Sequence, residues 1–112
     1  MKDYGLPNLL DLNGETFQLD RGYWTKFEVR RVEPTTEMPH GIRYSLTLHD
    51  KHGKRLLGFD NAHPVPKVRR FGFRMVEWDH RHDEELVTAY RFTESGKLLE
   101  DFWIAVNRLL ET

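Results

Sequence analysis

The sequence predicts an α+β fold, an antiparallel sheet of about five or six strands with a C-terminal amphipathic helix packed on one face. Two observations carry this prediction. Apolar and polar residues alternate in several short segments, which is the pattern of half-buried strands. The last part of the chain instead has apolar residues at helical spacing. We therefore expect the strands to precede one helix that covers the apolar face of the sheet.

The first part of the chain carries weak signals for regular structure. Residues 1–14 are rich in turn-forming residues, and we expect them to be loosely attached unless their leucines pin them to the core. Residues 23–32 are rich in aromatic and β-branched side chains, which favours a strand. The prediction here is one strand that follows a turn-rich segment.

The clearest strand covers residues 42–49, where every second residue is apolar. Residues 50–53 have the composition of a turn, and Gly53 can adopt a positive φ. Residues 55–59 are suited to be the returning strand. We therefore predict a β-hairpin over residues 42–60.

Prolines mark the segment after this hairpin. Pro64 and Pro66 argue against a regular central strand, so we expect His63 at the end of a strand or in a loop. Residues 71–78 indicate a further strand, in which the alternation changes phase part of the way along.

The C-terminal third predicts one strand and one helix. Residues 86–92 indicate the last strand, and the polar residues 77–85 before it indicate the end of a strand and a hairpin loop. The helix is predicted over about residues 94–110, with Thr93 as its N-cap. Its apolar stripe is typical of a surface that faces the core.

The composition describes one small domain without disulfides. A chain of 112 residues has the length of a single domain, 1–112. The absence of cysteine excludes disulfides, thiol nucleophiles and cysteine-ligated zinc. We find neither a secretory leader nor an apolar run long enough to cross a bilayer, so we expect a cytoplasmic protein without a membrane partner.

Charge is distributed unevenly along the chain, although the formal net charge is only −1. Residues 21–75 contain twelve Lys or Arg and five Asp or Glu, whereas the rest contains five basic and thirteen acidic residues. This asymmetry suggests one surface that attracts anions and another that repels them or meets a basic partner. A surface of mixed charge without any partner is the alternative.

Two short polar clusters carry the residue types of acid–base chemistry. They are Asp60-Asn61-Ala62-His63 and Asp79-His80-Arg81-His82-Asp83. Histidine, with an ordinary pKa of about 6.5, gives and takes protons at neutral pH. If the fold brings the clusters together, they provide a general base, a general acid and a cation.

His80 and His82 are two residues apart, so on a strand both imidazoles point to the same face of the sheet. We expect Asp79 and Asp83 to orient them. The pair is also the start of a metal site that a residue of the first cluster would complete. An exposed polar loop without function is the third interpretation.

A group of basic residues suits a nucleic-acid partner. Lys67, Arg69, Arg70 and Arg74 are interleaved with phenylalanines, and guanidinium groups bind phosphates while aromatic rings stack on bases. The phenylalanines are explained equally well as core residues. Arg43, on the polar side of the predicted hairpin, is a further candidate anion contact. The motifs of nucleotide-dependent and serine-nucleophile enzymes are absent.

Four segments also carry a family resemblance. They are Tyr44-Ser45-Leu46-Thr47-Leu48-His49-Asp50, Gly58-Phe59-Asp60-Asn61-Ala62-His63, His80-Arg81-His82 and Leu98-Leu99-Glu100-Asp101-Phe102-Trp103. In this order they resemble the TumE-type toxin family, over about residues 22–110. The resemblance implies the toxin of a bacterial type II toxin–antitoxin pair, encoded beside a helix-turn-helix antitoxin and acting on RNA.

We therefore predict a metal-independent endoribonuclease that needs no cofactor. RNA supplies its own nucleophile, the 2′-hydroxyl group. His63 or His80 is expected to be the general base and His82 the general acid, with Asp60 as the carboxylate of the site. An arginine is expected to stabilise the charge of the transition state, and the candidates are Arg81, Arg43 and Arg70.

Two other functions fit the same residues. A binding module without catalysis would hold nucleic acid on its basic surface or a basic antitoxin segment on its acidic one. A metal protein would use His63, His80 and His82 as ligands. A second copy of the chain, in a homodimer, is a further candidate partner.

Overall fold

A computed structural model describes residues 3–36, 38–61, 79–84 and 86–111 in full, and the backbone of residues 65–68 and 74–77. The elements follow one another in the order α1 (Leu6–Asp11), β1 (Thr16–Gln18), a 3₁₀ turn (Asp20–Gly22), β2 (Trp24–Arg31), β3 (Ile42–His49), β4 (Arg55–Asp60), β5 (Val65–Val68), β6 (Arg74–Glu77), β7 (His80–Asp83), β8 (Leu86–Ala89) and α2 (Ser95–Leu110).

The main sheet has six antiparallel strands in the order β1-β2-β3-β4-β7-β8. The strands β5 and β6 pair with each other in a separate two-stranded sheet. With α2 packed against the core of the main sheet, the predicted α+β fold is confirmed.

The predicted hairpin over residues 42–60 is formed by β3 and β4. Burial alternates along β3 at every residue, as the sequence pattern requires. Asp50 closes the turn, because its Oδ1 accepts hydrogen bonds from the backbone N–H groups of His52 at 2.8 Å and Lys54 at 3.0 Å. Gly53 in the same turn has a φ of 84°, a conformation that glycine adopts without strain.

The apolar side chains of β2, β3 and β4 lie on one face of the sheet, and α2 covers that face. Phe102 is fully buried and meets Phe27 and Phe59 edge-on, with ring centroids 5.5 and 6.0 Å away. The apolar stripe of the helix is therefore a core surface, as predicted. Neither helix in the described part of the chain combines the length and apolar character that a bilayer crossing demands.

The N-terminal segment is held against α2. Leu9 is fully buried and α1 packs on α2, so the leucines pin this segment to the core. The Asp3 carboxylate also accepts hydrogen bonds from the N–H of Ser95 at 3.0 Å and from its hydroxyl at 2.6 Å. Thr93 is not the N-cap, contrary to the prediction: Glu94 occupies that position, and the Asp3 side chain satisfies the first turn instead.

The segment after the hairpin differs most from the prediction. The sequence predicts the end of a strand and a hairpin loop over residues 77–85, but this segment contains β7, which pairs with β4 on one side and with β8 on the other. Because β7 is polar on both faces, its sequence has no alternation to reveal it. Pro66 lies in β5, outside the main sheet, and β8 ends at Ala89 rather than at residue 92.

Candidate active site on the polar face of the sheet

The register of the strands gathers polar side chains on the face opposite α2. Directly paired residues share a face, and Ser45 lies opposite Asp60, which in turn lies opposite His80. In the next row Thr47 lies opposite Gly58, and Gly58 opposite His82. We call this surface the polar face; its residues are Lys26, Glu28, Arg30, Arg43, Ser45, Thr47, Asp60, His80 and His82.

Asp60 and His82 form the best-defined pair on the polar face. His82 Nε2 lies 2.8 Å from Asp60 Oδ2, and the two side chains are only 14% and 13% exposed. Asp60 is on β4 and His82 on β7, so the pairing of these strands creates the contact. The first cluster thus meets the second through its carboxylate.

Burial lowers the pKa of His82 below its ordinary value, and nearby Arg55 acts in the same direction although Asp60 acts against both. The lowered pKa therefore favours the neutral imidazole at neutral pH. A neutral ring that bonds a carboxylate through Nε2 donates the Nε2 proton, which leaves the lone pair on Nδ1. This is the arrangement of an oriented general base.

His80 lies beside this pair but differs from it in burial. Its ring centroid is 6.2 Å from that of His82, so the expectation that the two imidazoles share a face is confirmed. His80 is 1% exposed, and in the described part of the chain neither of its ring nitrogens has a hydrogen-bond partner. An unsatisfied buried polar group costs about 1–3 kcal/mol, so this position is unfavourable for stability alone.

Arg81 lies on the other face of the sheet. Its Nε and Nη2 donate to the Asp83 carboxylate at 2.9 and 3.0 Å, and its guanidinium lies 5.4 Å from the centroid of Phe59, a core residue. The sheet therefore separates Arg81 from His80 and His82, so it does not join them in one site.

The expectation that Asp79 and Asp83 orient the two histidines is wrong. Asp83 pairs with Arg81, as described above. Asp79 accepts a hydrogen bond from the Tyr44 hydroxyl at 2.9 Å and lies 3.6 Å from His40 Nε2. Burial, reinforced by Asp79, raises the pKa of Tyr44 far above its usual range, so its hydroxyl remains a donor. Asp60 is the carboxylate that orients His82.

A pocket of about 370 Å³ lies where the polar sides of β2 and β3 meet. We call it the arginine pocket; it is lined by Asn13, Glu28, Val29, Arg30, Arg43, Tyr44 and Ser45. Arg43 was predicted as an anion contact, whereas Arg30 was not. The signal for Arg30 was its place on β2 directly opposite Arg43, which only the strand register reveals.

Several predicted site residues lie outside the described part of the chain. They are His63, Arg69 and Arg70. The backbones of Lys67 and Arg74 belong to β5 and β6, which pair with each other, and their side chains are not described. The convergence of His63 with the other two imidazoles therefore stays a prediction.

The described residues also give a limited result on metal binding. Within the ranges 3–36, 38–61, 79–84 and 86–111, no three His, Asp or Glu side chains are close enough to hold a metal ion together. The pair of His82 with Asp60 is the closest approach of such groups on the polar face.

Comparisons with known proteins point to one family. No curated protein and no solved structure matches the chain. The family described as Toxin TumE matches residues 11–110, which include α2 and every strand of the polar face. The match thus spans most of the sequence and confirms the resemblance seen in its motifs. The chain belongs to the TumE toxin family.

Proposed function

We propose that this protein is the toxin of a toxin–antitoxin pair and that it cleaves RNA by metal-independent acid–base catalysis on the polar face. The observation that carries the proposal is the 2.8 Å contact between His82 and Asp60 beside a second imidazole. Membership of a toxin family supplies the biological setting. RNA cleavage requires few catalytic groups from the protein, because the 2′-hydroxyl of the substrate is the nucleophile.

In the proposed reaction, Nδ1 of His82 removes the proton of the 2′-hydroxyl group. The 2′-oxygen attacks the adjacent phosphorus, and the bond to the 5′-oxygen breaks. A second imidazole, from His80 or His63, protonates the departing 5′-oxygen. The products are a 2′,3′-cyclic phosphate and a 5′-hydroxyl end, and each proton transfer contributes roughly 10²–10⁴-fold to the rate.

This assignment reverses the roles expected for His82. A general acid must be protonated before the reaction, but the lowered pKa of His82 favours the neutral ring. The base role suits it better, because Asp60 then stabilises the imidazolium that forms as the proton is taken. His80 is 1% exposed, so in this scheme RNA binding uncovers it before it acts as the acid.

Arg43 is the proposed phosphate contact for the RNA on the polar face. It lies on β3 on the same face as Asp60 and His82, two residues from Ser45, which pairs with Asp60. Its planar guanidinium is suited to bidentate binding of a phosphate of the RNA backbone. Arg81 has no part in the proposed site, since the sheet lies between it and the histidines.

The family implies an antitoxin partner. We propose that this antitoxin is a helix-turn-helix protein and that both proteins meet RNA in the cytoplasm. The charge asymmetry of the chain supports separate surfaces for the two partners, the polar face for RNA and an acidic surface for the antitoxin.

The test is cleavage of a labelled single-stranded RNA by the purified protein with a chelator present. We expect the wild type to produce 2′,3′-cyclic phosphate ends and His82→Ala to lose roughly 10²–10⁴-fold in rate. His52→Ala is the matched control, because His52 lies exposed in the β3–β4 turn, away from the polar face. RNA that stays intact with wild type, or equal rates for wild type and His82→Ala, would refute the proposal. Saturable binding of intact RNA would instead favour a non-catalytic module.

A further inference from the structure

Two arginines lie directly opposite each other on neighbouring strands of the polar face. Arg30 on β2 is paired in register with Arg43 on β3, so their side chains leave the sheet on the same face. Like charges directly opposite each other are destabilising. Glu28, the acidic residue of the arginine pocket, is engaged by Lys26 at 2.9 Å. In the described part of the chain, neither arginine forms a salt bridge.

Arg43 is also short of a hydrogen-bond acceptor. Its Nε is buried and has no hydrogen-bond partner among the residues that the structure describes. A guanidinium offers five donors and no acceptor, so a buried N–H of this group is satisfied only by an oxygen atom brought to it. An anion in the pocket would supply that oxygen and would also neutralise the repulsion between the two arginines.

The arginine pocket has room for such a group. Its volume of about 370 Å³ falls in the range of ligand sites, which is roughly 300–1,000 Å³. Besides the arginines, Ser45 and Asn13 bring a hydroxyl and an amide to its wall. The Asn13 Oδ1 already accepts the backbone N–H of Val29 at 2.9 Å, so the donors of its amide group remain for a ligand.

The position of the pocket relative to His82 suggests what the anion is. Arg43 and the row of His82 are four residues apart along the strands, as Arg43, Ser45 and Thr47 follow one another on this face. At about 3.4 Å per residue this separation along the strands is roughly 14 Å. A short oligonucleotide can bridge it, whereas a single mononucleotide cannot occupy both places.

We propose that Arg30 and Arg43 form a phosphate subsite that holds a neighbouring phosphodiester of the RNA strand whose cleavage occurs at His82. This inference rests on the proposed function and names its substrate class, a single-stranded oligonucleotide rather than a mononucleotide. The subsite contributes affinity and positions the RNA. Arg43 contacts the neighbouring phosphate and affects the reacting phosphate only by holding the RNA in place.

The experiment measures binding separately from cleavage. The probe is a short 2′-O-methyl RNA, which lacks the nucleophile and stays intact whatever the protein does. We expect Arg30→Ala and Arg43→Ala each to weaken binding about tenfold, the loss of one charge-assisted contact. The slope of log K against log salt should fall by about 0.7 for each lost contact.

Arg31→Ala is the matched control. Arg31 is the next residue of β2, pairs with Ile42 and leaves the sheet on the opposite face, so it removes the same charge without touching the pocket. We expect binding by this variant to change less than twofold. Equal weakening by Arg31→Ala and Arg43→Ala would overturn the subsite, because net charge alone would then explain the effect.

Two further arms complete the test. Adenosine 5′-monophosphate should bind far more weakly than the oligonucleotide; equal affinity, dependent on the two arginines, would overturn the oligonucleotide class. Thermal unfolding should show that Arg30→Ala is as stable as wild type or more stable, since a repulsion is removed.

If wild type binds the probe through these arginines but leaves RNA intact, the subsite stands and the cleavage proposal fails. If RNA is cleaved and the variants bind normally, the reverse holds.

Discussion

Asparagine in place of Asp60 is the sharpest test of how the polar face works. The substitution keeps the size of the side chain and a carbonyl acceptor, but it removes the charge 2.8 Å from His82 Nε2. Charges about 4 Å apart at a partly exposed site attract by about 4 kcal/mol. The amide dipole replaces part of this, so we expect the imidazolium of the transition state to lose about 3 kcal/mol, a fall of roughly 10²-fold in cleavage rate.

The pH dependence gives the same prediction a second readout. Asp60 raises the pKa of His82 while burial lowers it more strongly. Without the carboxylate, the pKa of His82 falls further below its ordinary value of about 6.5. The limb of the rate profile where the base loses its proton therefore moves to lower pH in Asp60→Asn, measured under single-turnover conditions.

Asp83→Asn is the control for this prediction. Asp83 is also a half-buried carboxylate paired with a basic side chain on β7, but it lies on the opposite face of the sheet. We expect it to cleave RNA at the wild-type rate. An Asp60→Asn enzyme with an unchanged rate and an unchanged acidic limb would refute the assignment of His82 as base, whatever the stability of the variant.

Three further predictions concern stability. Because the pKa of His82 is lower in the folded state, the unfolded state binds more protons below about pH 6.5. The free energy of unfolding therefore falls as the pH falls through that range. Urea titrations should show a weaker fall in His82→Gln. Phe102→Ala removes the ring between Phe27 and Phe59 and should cost about 3–5 kcal/mol in the same assay. Asp3→Ala frees the first turn of α2 and should cost about 1–2 kcal/mol, seen as a lower Tm.

The elements that the sequence predicts well are those with one apolar face. The alternation in β3 and the helical spacing in α2 follow directly from burial on a single side, and both elements form close to their predicted bounds. In contrast, β7 has polar residues on both faces, His80 and His82 on one and Arg81 and Asp83 on the other. A strand without an apolar face gives no periodic signal, so only its partners β4 and β8 define it.

The partners of the site residues depend on register, which local patterns do not fix. Asp60 and His82 are brought together by the pairing of β4 with β7, which are neighbours in the sheet although β5 and β6 lie between them in the sequence. The alternation of side chains along a strand also explains why Asp79 and Asp83 do not orient His80 and His82. Once residues 80–83 form a strand, Arg81 and Asp83 must leave it on the face opposite to His80 and His82.

Two unfavourable features of this protein lie on the polar face of the sheet. The apolar face has interlocking aromatic rings and fully buried side chains. Among the described residues, the ring nitrogens of the buried His80 have no hydrogen-bond partner, and the paired Arg30 and Arg43 have no counterion. Local conflicts of this kind weaken a fold, and proteins retain them mainly at functional sites. A bound RNA strand would satisfy both groups, because phosphate oxygens accept hydrogen bonds from imidazole and guanidinium alike. This common requirement for an anion supports the proposal of one RNA-binding surface.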